Sequence, residues 1–198
     1  MKTKEEKVIN DLVYFDNLKI VQNKNYFNFS LDSILLPNFA QITENTKMIM
    51  DLCTGNAPIP LVLTTKTKAK IIGVELQKEI FELATESIKL NKLENQIELI
   101  NENINNIPSM YETDTFDLIT CNPPYFKCNE NSIVNENEIK SIARHELHME
   151  LEDVFKISKK LLKKLLLKKK PSFIAGVPTL YEALLRNDRL KNVDFSKA

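Results

Sequence analysis

The sequence predicts an α/β fold, a parallel sheet covered by helices on both faces. Two observations carry this expectation. Short apolar, strand-like runs alternate along the chain with segments of helical spacing. The fourth such run stops abruptly at Pro123-Pro124, where neither residue can donate to a sheet ladder. In open sheets of this kind, ligands bind beyond the carboxyl ends of the strands. Chemistry is therefore expected from residues that directly follow strands.

Residues 1–28 are polar with scattered aromatics (Tyr14, Phe15, Tyr26, Phe27) and read as an N-terminal extension. Within them Leu18 to Gln22 reads as a short strand, and Asn23-Lys24-Asn25 as a turn. Ser30 opens an apolar segment through Ala40, expected to be a helix with Ser30 as its cap. Met48 to Cys53 is the first core strand. Ile59 to Thr65 is a helix with Pro60 in its first turn, a position that tolerates proline. Ile71 to Glu75 is the second strand. Gln77 to Asn91 is an amphipathic helix with Ile80, Phe81, Ala84 and Ile88 on its apolar face and Leu83 at its margin. Ile97 to Ile100 and Phe116 to Cys121 are the third and fourth strands. Residues 127–143 are asparagine-rich and read as a mobile loop. Leu151 to about Leu167 returns to helical spacing, and Pro171 ends it.

At 198 residues the chain is long enough for one domain with a sizeable core. Apolar residues make up 43% and charged residues 27%, as in a soluble globular protein. Lys and Arg (27) balance Asp and Glu (27), so no global basic field draws in nucleic acid, and any such binding uses local patches. Three cysteines (Cys53, Cys121, Cys128) without CxxC spacing point to a reduced setting rather than a disulfide framework or zinc site. No apolar run reaches membrane-spanning length, and the first residues lack a signal core. A cytoplasmic protein without membrane or metal is the expectation.

Four places carry chemistry. After the first strand, Asp51 to Asn56 contains one glycine, Gly55, which suits a tight turn that lets backbone approach a ligand. An ordinary strand-to-helix turn would look the same. Glu75 ends the second strand, where a carboxylate can accept both hydroxyls of a ribose, or simply be solvated. Asn103 follows the third strand and could accept from an adenine amine, or be one loop asparagine among many. Asn122-Pro123-Pro124-Tyr125 is the most specific. Its proline-stiffened turn presents an amide, a carbonyl and a ring together, which suits a flat base with an exocyclic amine. Asn122 Oδ1 and the Pro123 carbonyl would accept the two amine hydrogens, and Tyr125 would stack on the base. The alternative is a rigid turn that merely caps a strand. His145 and His148 have HxxH spacing without the flanking pattern of a metal site. Arg144-His145-Glu146 could touch a polyanion. The lysines between Lys156 and Lys170 read first as a solvated helix face, with RNA phosphate contact as the lesser reading.

These residues, in this order, resemble the S-adenosylmethionine-dependent amino-group methyltransferases of Rossmann-like fold. Phe29 to Leu36, Asp51 to Pro60, Lys68 to Gln77, Thr120 to Phe126 and Ile142 to Glu146 together resemble the bacterial tRNA1(Val) adenine-37 N6-methyltransferases, from about residue 8 to 164. The resemblance implies methyl transfer from S-adenosyl-L-methionine to the N6 amine of an adenine in a tRNA anticodon loop. It implies that Asp32 lies in the segment closing over the cofactor's methionine end. Asp51, Gly55 and Asn56 would form the cofactor turn, Glu75 would bind the ribose, and Asn103 would stand near the cofactor adenine in place of an aspartate. Asn122 and Pro123 would hold the amine and Tyr125 would stack, with Pro124, Phe126, Arg144 and His145 on the substrate side. Ala57 replaces a glycine common in this turn.

Beyond Lys163 the chain departs from that family. Lys168 to Leu185, continuing through Asn192 to Ser196, resembles a short internal segment of a long-chain fatty-acid CoA ligase. It carries none of the ligase's phosphate-binding or adenylation motifs. The organisation expected is an extension (1–28), a methyltransferase core (29–165) and an unrelated tail (166–198), with the Rossmann-like sheet truncated at its C-terminal end. The alternative function is an inactive remnant with at most weak cofactor or RNA binding.

Overall fold

The computed structural model describes residues 7–12, 14–26, 29–123 and 151–162. Pro124, Tyr125, Phe126, Arg144 and His145 lie outside the described residues, as do the asparagine-rich stretch, the part of the expected last helix beyond 162 and the tail.

Among the described residues, four parallel strands form the central sheet: β3 (Met48–Leu52), β4 (Lys70–Glu75), β5 (Ile97–Asn101) and β6 (Leu118–Cys121), in the spatial order β5-β4-β3-β6. Ahead of them an antiparallel hairpin joins β1 (Lys7–Leu12) to β2 (Phe15–Asn23). The helices are α1 (Asp32–Phe39), α2 (Pro58–Thr64), α3 (Lys78–Leu90), the single turn α4 (Ile107–Met110) after a 3₁₀ turn at Ile104–Asn106, and α5 (Leu151–Leu161). The chain winds outward from β3 through β4 to β5, then returns to place β6 on the other side of β3. That reversal opens a crevice at the carboxyl ends of β3 and β6, the place where doubly wound sheets bind ligands.

Strand alternation splits the core into two layers. Ile49, Ile71 and Ile97 face α2, α3, α1 and the hairpin, packing with Leu61, Ala84, Ile88, Ile34 and Ile20. Met50, Leu52, Ile72 and Val74 face the opposite way, onto Ile104, Ile107, Phe116, Ile157 and Leu161. Phe116 is fully buried and meets the Tyr111 ring edge-on at 5.0 Å. It lies outside β6: its backbone N–H donates to the Leu161 carbonyl, so the fourth strand begins two residues later than the apolar run indicated. Asp117 then clamps the start of β6 to β3, its Oδ2 accepting from the Lys47 and Met48 amides at 2.8 and 3.0 Å.

Helix α2 is buried from Pro58 to Leu63, which is possible because two of its first three residues are prolines. A helix start normally leaves backbone donors unpaired, and Pro58 and Pro60 have none to leave. Helix α1 corrects one expectation. Ser30 is not its cap: Leu31 already has helical dihedrals, and the Ser30 carbonyl, not its hydroxyl, accepts from Ser33 N–H at 3.1 Å. Early entry into the turn leaves the Ser30 hydroxyl buried and unpartnered among the described residues. Pro37 sits inside α1, and Lys66 Nζ caps the end of the helix by donating to the Pro37 and Asn38 carbonyls at 2.7 and 3.0 Å.

The hairpin is stitched to α3 by side chains. Ser87 Oγ accepts from Val21 N–H at 2.9 Å and donates to the Leu83 carbonyl. Asn91 accepts from Lys19 N–H and donates to the Lys19 carbonyl, at 2.9 and 2.6 Å. Leu12 and Ile20 belong to the same core as α2 and α3.

Candidate active site

The site assembles where β3, β4 and β6 end. Asp51 is the penultimate residue of β3 and has no exposed surface. Its two oxygens accept hydroxyl hydrogens from neighbours on different segments: Oδ2 from Thr54 at 2.6 Å and Oδ1 from Thr120 at 2.6 Å. The carboxylate thus ties the turn after β3 to strand β6. Burial dominates its titration, opposed by these two hydrogen bonds and reinforced by the Glu75 charge, and the pKa is pushed up to about 7. Gly73 lies opposite Asp51 on β4. A Cβ there would stand 2.7 Å from Leu99 Cδ2 and 3.1 Å from Thr54 Oγ1, so the glycine keeps the space in which the Thr54 hydroxyl reaches Asp51.

The turn itself alternates into left-handed backbone, with φ of 57° at Cys53, 60° at Gly55 and 71° at Ala57. Such conformations cost an L-residue about 1–2 kcal/mol, and only glycine adopts them freely. Ala57 therefore carries strain at the position where the resembled family commonly has glycine. Thr54 N–H donates to the Val74 carbonyl at 2.9 Å, folding the turn over the end of β4. Among the described residues nothing lies within 4 Å of where a Gly55 Cβ would be, so they leave the space above the turn open.

Glu75 closes β4 and is buried. Its Oε2 accepts from Gly55 N–H at 2.9 Å and its Oε1 from Gln77 N–H at 2.8 Å. Burial raises its pKa, and the backbone amides of Gln77, Gly55 and Leu76 pull it back. With three backbone amides on its two oxygens, the carboxylate retains about one lone-pair site for a further donor. Asn56 turns the other way: its Nδ2 donates to the Val21 carbonyl at 3.1 Å and anchors the turn to the hairpin. Asn103 follows β5, and its Oδ1 accepts from Asn105 N–H at 2.9 Å as the cap of the 3₁₀ turn, leaving one lone pair there.

Asn122 and Pro123 follow β6 directly, with Asn122 half-buried and Pro123 buried. Asn122 Nδ2 donates to Ser33 Oγ at 2.9 Å, bringing the start of α1 to the end of β6. Asp32, the first residue of α1, stands one position from that contact. Cys53 and Cys121 lie close by. The Cys121 thiol is pushed well up, first by its hydrogen bond with Cys53 and then by burial, so it stays protonated and is no nucleophile.

Of the residues singled out from sequence, Asp51, Gly55 and Glu75 converge on one hydrogen-bonded turn, and Asp51 links it through Thr120 to the strand bearing Asn122. Thr54, Thr120 and Ser33 were not singled out. Thr120 carried a signal, lying two residues before Asn122 on the β6 face that looks toward Asp51. Ser33 carried none, because its partner is 89 residues away. Among the described residues no cluster of His, Cys, Asp or Glu is placed to hold a metal, and no helix is long and apolar enough to cross a membrane.

An adenosine cofactor with a sulfonium fits this chemistry. Glu75, with a lone-pair site left beside the glycine turn, offers an acceptor to a hydroxyl donor.

The comparisons with known proteins agree. A family model described as a methyltransferase domain matches residues 43–177. A tRNA1(Val) (adenine(37)-N6)-methyltransferase of Cytophaga hutchinsonii is 26% identical over 154 residues, covering 78% of this chain and 63% of the relative. The enzyme of the same name from Haemophilus influenzae (strain PittEE) is 34% identical over 133 residues, covering 66% of this chain and 55% of the relative. The chain thus matches somewhat over half the length of these curated relatives. Among solved structures, a Pyrococcus horikoshii transferase aligns with a TM-score of 0.55 at 15% identity, over 81% of this chain and 50% of that one. Geranyl diphosphate methyltransferase in complex with SAM aligns with a TM-score of 0.50 at 14% identity, over 67% and 44%. With a doubly wound parallel sheet, a glycine turn after β3 and a carboxylate closing β4, the chain belongs to the methyltransferase domain family of Rossmann-like fold, whose methyl donor is S-adenosylmethionine.

Proposed function

We propose that this chain methylates the exocyclic N6 amine of an adenine in a tRNA anticodon loop. The observation that carries the reading is the Asn122-Pro123 turn at the end of β6, tied through Thr120 and Asp51 to the glycine turn and Glu75. The matched relatives named as tRNA1(Val) (adenine(37)-N6)-methyltransferases support the choice of base and RNA. A loop base is already single-stranded, so extruding it costs less than from a duplex.

When bound, S-adenosylmethionine supplies an electrophilic methyl group. The chain's own residues do the rest. Glu75 receives a ribose hydroxyl on its remaining lone-pair site, and the space over Gly55 admits the cofactor. Asn122 Oδ1 and the Pro123 carbonyl accept the two hydrogens of the target amine. Those bonds draw the nitrogen out of conjugation and aim its lone pair. We assign Tyr125 to stack on the base and Arg144 and His145 to contact the RNA, on the family resemblance of the runs that carry them. No carboxylate base is needed for attack, because the amine turns acidic only once alkylated.

The test is methyl transfer from labelled S-adenosylmethionine to unmodified tRNA, comparing the chain with Asn122→Ala. The expected result is label in N6-methyladenosine and a drop on the order of 10²-fold in the variant, the scale of losing one positioned acceptor. Label in N4-methylcytidine would move the proposal to another base. No Asn122-dependent incorporation would sink it in favour of an inactive remnant.

A further inference from the structure

We infer that Cys53 and Cys121 are a peroxide-sensitive thiol pair, and that their oxidation to a disulfide switches off cofactor binding at the turn after β3.

The sheet register brings the two together. Cys121, the last residue of β6, is the Cα partner of Leu52, and Cys53 follows Leu52 directly. An interstrand spacing of about 4.8 Å and one Cα step of about 3.8 Å place their Cα atoms about 6 Å apart, inside the span a disulfide bridges. Direction matters as much as distance. In extended backbone Cys53 would project to the face opposite Leu52. Its left-handed φ of 57° returns it, so both cysteines pack against the layer of Met50, Leu52 and Ile72. The two thiols are hydrogen-bonded to each other, and both residues keep some exposed surface.

In the reduced pair Cys121 holds its proton, so Cys53 meets the oxidant first. Its sulfur attacks hydrogen peroxide: an S–O bond forms, the O–O bond breaks, and the departing hydroxide takes the Cys53 proton and leaves as water. With oxygen on Cys53, the Cys121 proton has a base to go to. The Cys121 sulfur attacks the Cys53 sulfur, the S–O bond breaks, and the second hydroxide leaves as water with that proton. Two electrons have passed from the sulfurs to peroxide. The link draws the first residue after β3 toward β6 and away from β4. The bonds that hold the turn on β4 run from Thr54 N–H to the Val74 carbonyl and from Gly55 N–H to Glu75, so the carboxylate beside the cofactor turn is disturbed with them.

The test treats the chain with hydrogen peroxide, blocks the remaining thiols after denaturation and maps the linked peptides by mass spectrometry. Cys53 should be joined to Cys121, with Cys128 left as a thiol. By calorimetry the S-adenosylmethionine Kd should weaken on the order of 10-fold or more, the scale of one lost charge-assisted hydrogen bond, and recover with dithiothreitol. Cys128→Ser should respond as the wild type does. Cys121→Ser, which removes the resolving thiol, should show neither the link nor the dithiothreitol-reversible loss. Linkage through Cys128, oxidation of Cys53 that runs on to sulfinic acid without a link, or a Cys53–Cys121 link with unchanged Kd would each overturn the inference. None of these readouts uses RNA, so failure of the tRNA reading would show separately, as reduced chain that binds cofactor and transfers no methyl group.

Discussion

Replacing Asp51 with asparagine should stabilise the cofactor-free protein at pH 8 and flatten its pH dependence. Asp51 is fully buried, and its pKa rises from an ordinary 3.8 to about 7. Between those values the folded state keeps a proton that the unfolded state has released. Stability from this group is therefore fully present below pH 4 and is lost as pH rises through about 7. A shift of about three decades, at about 1.4 kcal/mol each, is on the order of 4 kcal/mol. Two of those decades, about 3 kcal/mol, fall between pH 5 and pH 7. The substituted amide would carry no charge to bury. Its Oδ1 accepts from one threonine hydroxyl, and its Nδ2 donates to the other once that hydroxyl rotates to present its oxygen. Urea unfolding followed by circular dichroism at pH 5 and pH 8 measures the effect; the chain has no tryptophan to report by fluorescence. Wild-type stability should fall more steeply than that of Asp51→Asn between the two, Glu75 contributing a slope of the same sign in both proteins. Parallel pH profiles would refute the reasoning, since they would mean that Asp51 folds with its charge already compensated.

Two further changes test the architecture around the site. Glu75→Gln leaves one of the Gly55 and Gln77 amides facing a donor and removes the charge. Loss of a charge-assisted contact of about 1.5–3 kcal/mol should weaken S-adenosylmethionine binding roughly 10- to 100-fold by calorimetry, and an unchanged Kd would exclude Glu75 from the cofactor. Asn91→Ala strips both backbone groups of Lys19 of their partner and should cost about 2 kcal/mol in urea unfolding; a cost below about 0.5 kcal/mol would mean the hairpin is held by its apolar contacts alone.

Strand and helix identities were legible in the sequence wherever an apolar face had a period. The Gln77–Asn91 run became α3 within a residue at each end, and Met48–Cys53 became β3. Where local signals compete with tertiary ones, the reading shifted. Ser30 has the composition of a cap, yet the turn it opens is set by Leu31. Phe116 has the apolarity of a strand, yet it pairs with the end of α5. The strand in residues 7–12 was not visible, because most of its residues are exposed and leave no alternation; only Leu12 is buried.

By itself the sequence determined which chemical groups stand at strand ends: a single glycine after β3, a carboxylate closing β4, an amide and proline after β6. That follows because strand period and proline stops are local properties of the chain. Only the tertiary structure decided how those groups are held. The reversal of strand order puts β6 beside β3, so Thr120 can reach Asp51 and Ser33 can reach Asn122 across 69 and 89 residues. It also decided that Asp51 and Glu75 are buried, and so that their charges are costly. Desolvation depends on what packs around a carboxylate, and no spacing along the chain encodes that.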